Sequence, residues 1–219
     1  MKVFKHIYNW IDERVEMHEY IKKDILDKPI PKGLNLSYCF GGITFFLFLM
    51  LAVTGYFMTF YYVPSPTQAY DAVDFMTYEV SMGYIIRGVH HWSANLMVIT
   101  ILLHMIRVYI YGAYKKPREI NWITGVLLLC MTMGFAFTGY LLPWDQKAYW
   151  ATKVGTSVMG TIPVIGDYVL RLTRGGTELG ALMLTRFYTL HIVFLPIAVV
   201  ALLIGHFAMI RRQGISTPL

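Results

Sequence analysis

The sequence predicts an all-α membrane protein: a bundle of four transmembrane helices with an N-terminal amphipathic surface helix. Of its 219 residues, 56% are hydrophobic and only 15% are charged, which lies outside the usual balance of a soluble domain. Four apolar runs exceed the roughly 18–20 residues that cross a bilayer. Two of these runs each carry a pair of histidines, which are costly in lipid and therefore indicate a functional site.

Residues 1–32 form the first predicted unit, a charged surface segment. Its apolar residues recur at helical spacing, which indicates an amphipathic helix lying on the membrane. These residues are Val3, Phe4, Ile7, Tyr8, Trp10, Ile11 and Val15. An ordinary solvated leader is the alternative.

Residues 33–219 form the second predicted unit, the transmembrane domain. Its spans are expected at about 36–62, 82–112, 121–142 and 183–210. Pro196 is expected to bend the fourth span.

The three connections differ in character. The first contains a turn signal at 63–66, and the second is short and basic, which predicts antiparallel neighbouring spans. The third is about 40 residues long, and its apolar patches at 148–158 and 163–172 suggest short helices on the outer surface.

The distribution of basic residues predicts the orientation. Seven Lys and Arg residues precede the first span, and Lys115, Lys116 and Arg118 lie in the second connection. The first connection carries none. Both termini are therefore expected on the inner (n) side. The net charge of +6 follows from this asymmetry and gives no reason to expect nucleic acid.

The histidine spacings place two imidazoles on one side of each of two helices. His90 and His104 are 14 residues apart, and His191 and His206 are 15 apart. At about 100° per residue, the second histidine of each pair lies within about 40° or 60° of the face that carries the first. The two imidazoles of a pair are about 21 Å apart along the helix axis. Two such helices side by side would make two stacked His–His sites, as two six-coordinate haems require. The spacing therefore predicts a haem-binding bundle of four transmembrane helices. His91 is about 140° from the His104 face and is rejected as a ligand.

Other uses of the four histidines are a set of satisfied polar residues or a proton pathway. Zinc is a poor alternative because two imidazoles at each level do not complete a tetrahedral site.

Two glycine pairs share the histidine spacing. Gly41 and Gly55 in the first span, and Gly125 and Gly139 in the third, are each 14 residues apart. Gly41 and Gly125 fall at the depth of His104 and His206, near the inner surface. Gly55 and Gly139 fall at the depth of His90 and His191, near the outer surface. Glycines there would let a flat macrocycle approach the backbone, although small residues also pack helices in lipid.

Five arginines lie near span ends, where haem propionates would emerge: Arg87, Arg107, Arg118, Arg186 and Arg211. Each could pair with a propionate or simply extend to the lipid headgroups. Cys39 lacks the Cys-x-x-Cys-His motif of ordinary covalent c-type haem attachment. From the residues alone, it is interpreted as a buried small hydrophobic residue.

Several segments resemble the cytochrome b6 family over nearly the whole chain. They are Tyr38-Cys39-Phe40-Gly41-Gly42, residues 87–92, Lys115-Lys116-Pro117-Arg118-Glu119, residues 139–145 and residues 206–218. The 15-residue gap between His191 and His206 resembles the split b6 type, whereas fused cytochromes b have a 14-residue gap.

This resemblance implies a ligand set. His90 and His191 would ligate an outer (p-side) haem b, and His104 and His206 an inner (n-side) haem b. Cys39 would attach a third haem, of c type, through a single thioether, with Arg211 near its propionates. Three residues would help to form a quinol oxidation pocket: Tyr140, Trp150 and Ala151.

The resemblance also implies the activity of a quinol–cytochrome c or plastocyanin oxidoreductase subunit. Electrons from quinol oxidised on the outer side would cross two b haems to an inner quinone site, coupled to proton translocation. The expected partners are a three-span subunit, a Rieske iron–sulfur protein, a c-type cytochrome and menaquinone or plastoquinone, in a dimeric complex. The motifs favour a bacterial plasma membrane over a thylakoid.

Two rival functions remain open from the residues. A haem-free transporter or assembly module would use the histidines as a polar pathway. A dihaem anchor of a dehydrogenase or hydrogenase would need neither the quinol pocket nor a covalent haem; the Leu-Pro-Trp-Asp segment at 142–145 and Cys39 argue against it.

Overall fold

The structure, a computed structural model, describes residues 2–16, 18–19, 22, 27 and 33–216. The helices of this part are α1 (Lys2–Val15), α2 (Phe40–Thr59, after a 3₁₀ turn at Leu36–Cys39), α3 (Ala69–Tyr78), α4 (Gly83–Ile110), α5 (Glu119–Leu141), α6 (Gln146–Gly160), α7 (Gly166–Arg174), α8 (Ala181–Thr189) and α9 (Leu195–Gln213). A π-helical turn at Leu190–Phe194 joins α8 to α9. The described chain is all-helical, which confirms the predicted fold class.

Four helical stretches are long and apolar enough to cross a membrane: Leu36–Thr59, Gly83–Ile110, Glu119–Leu141 and Ala181–Gln213. Their mean hydropathy is 1.6–2.5, yet only 6–17% of each apolar window is buried within the chain. Most of their apolar surface therefore needs lipid or other subunits around it. The chain is a multi-pass integral membrane protein.

The spans pack as two antiparallel pairs. The first span packs chiefly against the second, and the third chiefly against the fourth. The second and third spans are also in contact, as their short connection predicts. The two histidine-bearing spans thus belong to different pairs and face each other across the bundle.

The connections hold three further helices. The first connection, for which the sequence indicates a turn or loop at 63–66, also contains α3. The third contains the two expected short helices, α6 and α7. The Asp145 carboxylate begins α6 by accepting a hydrogen bond of 2.7 Å from the Ala148 backbone N–H, the usual role of an N-cap aspartate.

An apolar core anchors these connections to the neighbouring ends of the spans, which are called the outer ends after the predicted orientation; the opposite ends are called inner. It contains Ala69, Leu141, Leu179, Met183, Leu184 and Phe187. Beside it, the Tyr62 hydroxyl donates a 2.8 Å hydrogen bond to the Leu142 carbonyl. Burial raises the pKa of Tyr62, so the phenol stays protonated and remains a donor.

Helix α1 covers the part of the predicted surface segment in which apolar residues recur at helical spacing. Phe4, Ile7 and Trp10 are exposed on it, and Arg14 covers the Trp10 ring at 4.2 Å. Residues 1, 17, 20–21, 23–26 and 28–32 of the predicted surface segment lie outside the described residues, as do 217–219 at the other terminus.

Candidate functional site

The outer level of the bundle brings His90 and His191 together. Their ring centroids are 6.5 Å apart and their planes are inclined by 61°. A metal–imidazole bond is about 2.0–2.1 Å and the nitrogen lies about 1.1 Å from its ring centre, so imidazoles on opposite sides of one metal have centroids about 6.3 Å apart. The observed separation fits one metal between the two rings.

Two threonines hold these outer rings. Thr54 Oγ1 lies 2.9 Å from His90 Nδ1, and Thr138 Oγ1 lies 3.1 Å from His191 Nδ1. Each hydroxyl also donates to the carbonyl four residues earlier in its helix, at 2.6 Å and 2.8 Å. Because a hydroxyl has one proton, each oxygen is left to accept from the imidazole Nδ1–H. This leaves Nε2 with the lone pair that binds metal.

Backbone carbonyls support the same assignment. Besides the carbonyl four residues back, the Thr54 hydroxyl lies 3.3 Å from the Leu51 carbonyl and the Thr138 hydroxyl 3.3 Å from the Phe135 carbonyl. Both carbonyls lie three residues before the corresponding threonine, so the two half-sites are built alike.

At the inner level, His104 lies against Gly41 of the first span and His206 against Gly125 of the third. Within the described residues, the Nδ1 atoms of both histidines are buried and have no hydrogen-bond partner. Nδ1 is thus held by threonine only at the outer level.

Each of the four glycines faces a histidine of the neighbouring span. An added Cβ would meet His104 Cε1 at 3.0 Å from Gly41, His90 Cε1 at 3.1 Å from Gly55 and His191 Cε1 at 2.6 Å from Gly139. From Gly125 it would lie 3.8 Å from His206 Cε1. The glycines thus make room for the imidazoles themselves, and their depths pair as the spacing predicts.

The residues present fit haem. Each level offers two imidazoles, and within the described residues no three His, Cys, Asp or Glu side chains come together. A metal held there needs further donors, which a porphyrin brings as four equatorial nitrogens. Polar atoms buried without partners gather at the inner end: Tyr38 Oη, His104 Nδ1, Arg107 Nε, Arg118 Nε, Asn121 Oδ1, His206 Nδ1, Gln213 Oε1 and Ser216 Oγ. A polar ligand at this end would satisfy such groups.

The π-helical turn accounts for the unequal histidine spacings. His191 lies within it, and the Leu195 N–H donates to the Leu190 carbonyl, five residues back. A π turn takes up one residue more than an α-turn. It therefore offsets the extra residue between His191 and His206. Pro196 follows and lacks the N–H that the Ile192 carbonyl would use, which favours this opening of the helix.

The predicted arginines divide between the two ends. At the outer end, Arg87 donates to Thr77 Oγ1 at 3.3 Å, and Arg186 to the Leu172 carbonyl at 2.5 Å. At the inner end, Arg107 lies 4.5 Å above the Tyr38 ring, and Arg118 reaches the Gln213 carbonyl at 3.4 Å. Arg211 lies in the last turn of α9 and also has an interaction partner.

The two cysteines are free. Cys39 is exposed at the inner end of the first span, where the sequence alone suggested a buried hydrophobic residue, and that interpretation is wrong. Three residues further on, Gly42 has no neighbour among the described residues within 4 Å of an added Cβ, so this face of the helix is open to that part of the chain.

An open pocket of about 320 Å³ lies on the outer side of the third span. It is lined by Met133, Ala136, Phe137, Tyr140, Ala151 and Thr152. Tyr140 and Ala151 thus share one cavity, whereas Trp150 does not line it and bonds instead to Gln146 Oε1 at 2.9 Å.

Sequence reasoning missed Thr54 and Thr138. Both directly precede a candidate glycine, so a repeated Thr-Gly pair was the available signal. This signal is ambiguous, because Thr124-Gly125 is the same dipeptide. The Thr124 hydroxyl donates a 2.9 Å hydrogen bond to the Ile120 carbonyl.

The chain is similar to proteins of known family. Residues 25–214 match the family described as Cytochrome b/b6/petB. Cytochrome b6 from Cyanidium caldarium is 50% identical over 212 residues, covering 97% of this chain and 98% of the relative. Cytochrome b6 from Prochlorococcus marinus (strain AS9601) is 48% identical over 213 residues, covering 97% of both chains.

A solved structure is also similar. A chain of "Hyperthermophilic respiratory Complex III" has a TM-score of 0.90 and 30% identity, covering 96% of this chain. The present chain spans 56% of the length of that chain.

Proposed function

Because the chain belongs to the cytochrome b/b6 family, we propose that it is the electron-transferring subunit of a quinol–cytochrome c or quinol–plastocyanin oxidoreductase. Family membership implies b haems and a place in a membrane assembly of the complex III or b6f type. In this proposal, electrons enter from quinol on the outer side and leave to quinone on the inner side, with coupled proton translocation. The isolated chain would not be active.

The observation that carries the proposal is the pair of stacked imidazole sites between the two helix pairs. His90 and His191 would be the axial ligands of the outer b haem, and His104 and His206 those of the inner one. When bound, b haems supply one-electron redox centres. The glycine facing each histidine keeps the ring close to the neighbouring helix, and the apolar spans exclude water.

We also propose a single-thioether haem c at Cys39. Its exposed thiol and the open face at Gly42 leave room for a large planar group. Arg107 and Arg118 each bury an Nε without a partner, which suits propionates of the inner haems, and Arg211 is a further candidate. Arg87 and Arg186 are the corresponding candidates on the outer side.

The outer pocket at Tyr140 and Ala151 is proposed as one wall of the quinol oxidation site. It is apolar and open on one side, as expected of a site that a second subunit completes. Trp150 would act at its rim. A three-span subunit is the proposed partner there, with a Rieske iron–sulfur protein and a c-type cytochrome as electron acceptors.

The proposed setting is a dimeric complex in a bacterial plasma membrane, with both termini on the n side and menaquinone or plastoquinone as substrate. The cluster of Lys and Arg in the second connection supports this orientation.

A His104→Ala variant of the complex tests the ligand assignment. We expect loss of the inner b haem with the outer one retained, because the two levels use different side chains. Pyridine haemochrome spectra before and after acid–acetone extraction measure the extractable b haems and any covalent haem separately. His91→Ala is the matched control, since its exposed ring lies outside both levels. Full retention of both b haems in a folded His104→Ala complex would overturn the assignment.

A further inference from the structure

Thr54 and Thr138 occupy equivalent positions around the outer imidazole pair. Each immediately precedes a glycine that faces a histidine, and each is buried. Each hydroxyl donates along its own helix and faces one histidine Nδ1. The same geometry thus occurs twice, on two helices that supply no ligand.

From this geometry we infer that Thr54 and Thr138 are positioning residues that fix the protonated Nδ1 tautomer and the ring angle of His90 and His191. This rests on the proposed ligand assignment. A hydrogen bond from Nδ1–H orients a metal-bound imidazole and increases its basicity. Rotation about the Cβ–Cγ bond is restricted when Nδ1 must stay on the hydroxyl.

The inner level lacks this device. Thr124 precedes Gly125 as Thr138 precedes Gly139, but its hydroxyl bonds within its own helix, and His206 Nδ1 has no partner of good geometry. Phe40 precedes Gly41 and carries no hydroxyl. The outer imidazoles should therefore donate more electron density to a bound iron than the inner ones.

A more basic axial ligand favours the oxidised iron, so loss of the hydroxyls should raise the potential of the outer haem. For Thr54→Val with Thr138→Val we expect about a three- to tenfold increase in its reduction equilibrium constant, tenfold being about 59 mV for one electron. The inner haem should keep its potential.

The experiment is redox titration of the assembled complex, with electron paramagnetic resonance spectra to report the angle between imidazole planes. Each single valine variant is measured beside the double variant. Thr54→Ser with Thr138→Ser should restore the wild-type potential, because serine keeps the oxygen. Thr124→Val is the matched control and should shift neither haem.

The outcomes separate this inference from the ligand assignment. Selective loss of the outer haem in the valine variants, with the serine variants loaded, supports the positioning role. Wild-type outer potential and spectrum in a fully loaded double valine variant would overturn it. Retention of the outer haem in His90→Ala would instead overturn the ligand assignment.

Discussion

At the scale of single residues, the clearance between a glycine and its facing imidazole differs among the four positions. At Gly139 an added Cβ would lie 2.6 Å from His191 Cε1, closer than real Cβ contacts allow, whereas at Gly125 the corresponding distance is an ordinary 3.8 Å. The ring at Gly139 cannot recede without leaving Thr138. The same substitution should therefore act differently at the two levels.

Gly139→Ala should abolish binding of the outer b haem or reduce its affinity by about 10–100-fold. The added methyl group would displace the His191 ring, which would lose its orientation and its hydrogen bond to Thr138. Gly125→Ala, the matched control, should keep both haems. Haem content and the reduced-minus-oxidised spectrum of the purified complex measure the difference. Equal loss in both variants would contradict the geometric explanation.

At the scale of elements, one buried arginine joins α6 and α7. Arg174 is only 5% exposed and donates to Thr156 Oγ1, Ser157 Oγ and the Lys153 and Thr177 carbonyls, at 2.8–3.1 Å. No carboxylate is among these acceptors. Thr156 in turn donates to the carbonyl of Thr152, which lines the outer pocket. A single guanidinium thus links four acceptors of the hairpin beside the pocket.

Arg174→Gln should destabilise this hairpin by about 2–4 kcal/mol, because several buried acceptors lose charged hydrogen bonds. Amide hydrogen exchange over Gly166–Arg174 in the complex measures the effect. Arg171→Gln is the matched control in the same helix. It removes an exposed ion pair to Asp167 of 2.9 Å, worth under about 1 kcal/mol. Similar exchange in both variants would show that Arg174 does not clamp the hairpin.

At the scale of the whole molecule, the spans leave most of their apolar surface for lipid or other subunits, and the basic residues are spread unevenly between the two ends. Lys116 lies in the connection between the second and third spans, and Lys147 in that between the third and fourth. Both are exposed. Four spans put these connections on opposite sides of a membrane.

A membrane-impermeant amine reagent should therefore modify Lys147, but not Lys116, from the outside of right-side-out vesicles. Peptide mass spectrometry measures both sites. Permeabilised vesicles are the control, in which both lysines become accessible. Labelling of Lys116 alone in sealed vesicles would reverse the proposed orientation.

The sequence predicted what depends on long periodic patterns. Apolar length predicted the four spans, and helical spacing placed each histidine at the depth of its facing glycine. It could not predict contacts set by side-chain direction, such as the Thr54 hydroxyl on His90. Nor could it predict α3, whose short run carries a weak periodic signal, or the exposure of Cys39, which depends on what the neighbouring helices leave uncovered.

The π-helical turn at Leu190–Phe194 also has an evolutionary meaning. An extra residue inside a membrane helix would normally rotate the rest of that helix by about 100°. A ligand side chain beyond the insertion would then point away from its site. A local widening confines that change to one turn, so the gain becomes tolerable. A single-codon insertion or deletion should therefore be tolerated at this turn more readily than elsewhere in the span, because the histidine beyond it would keep its face.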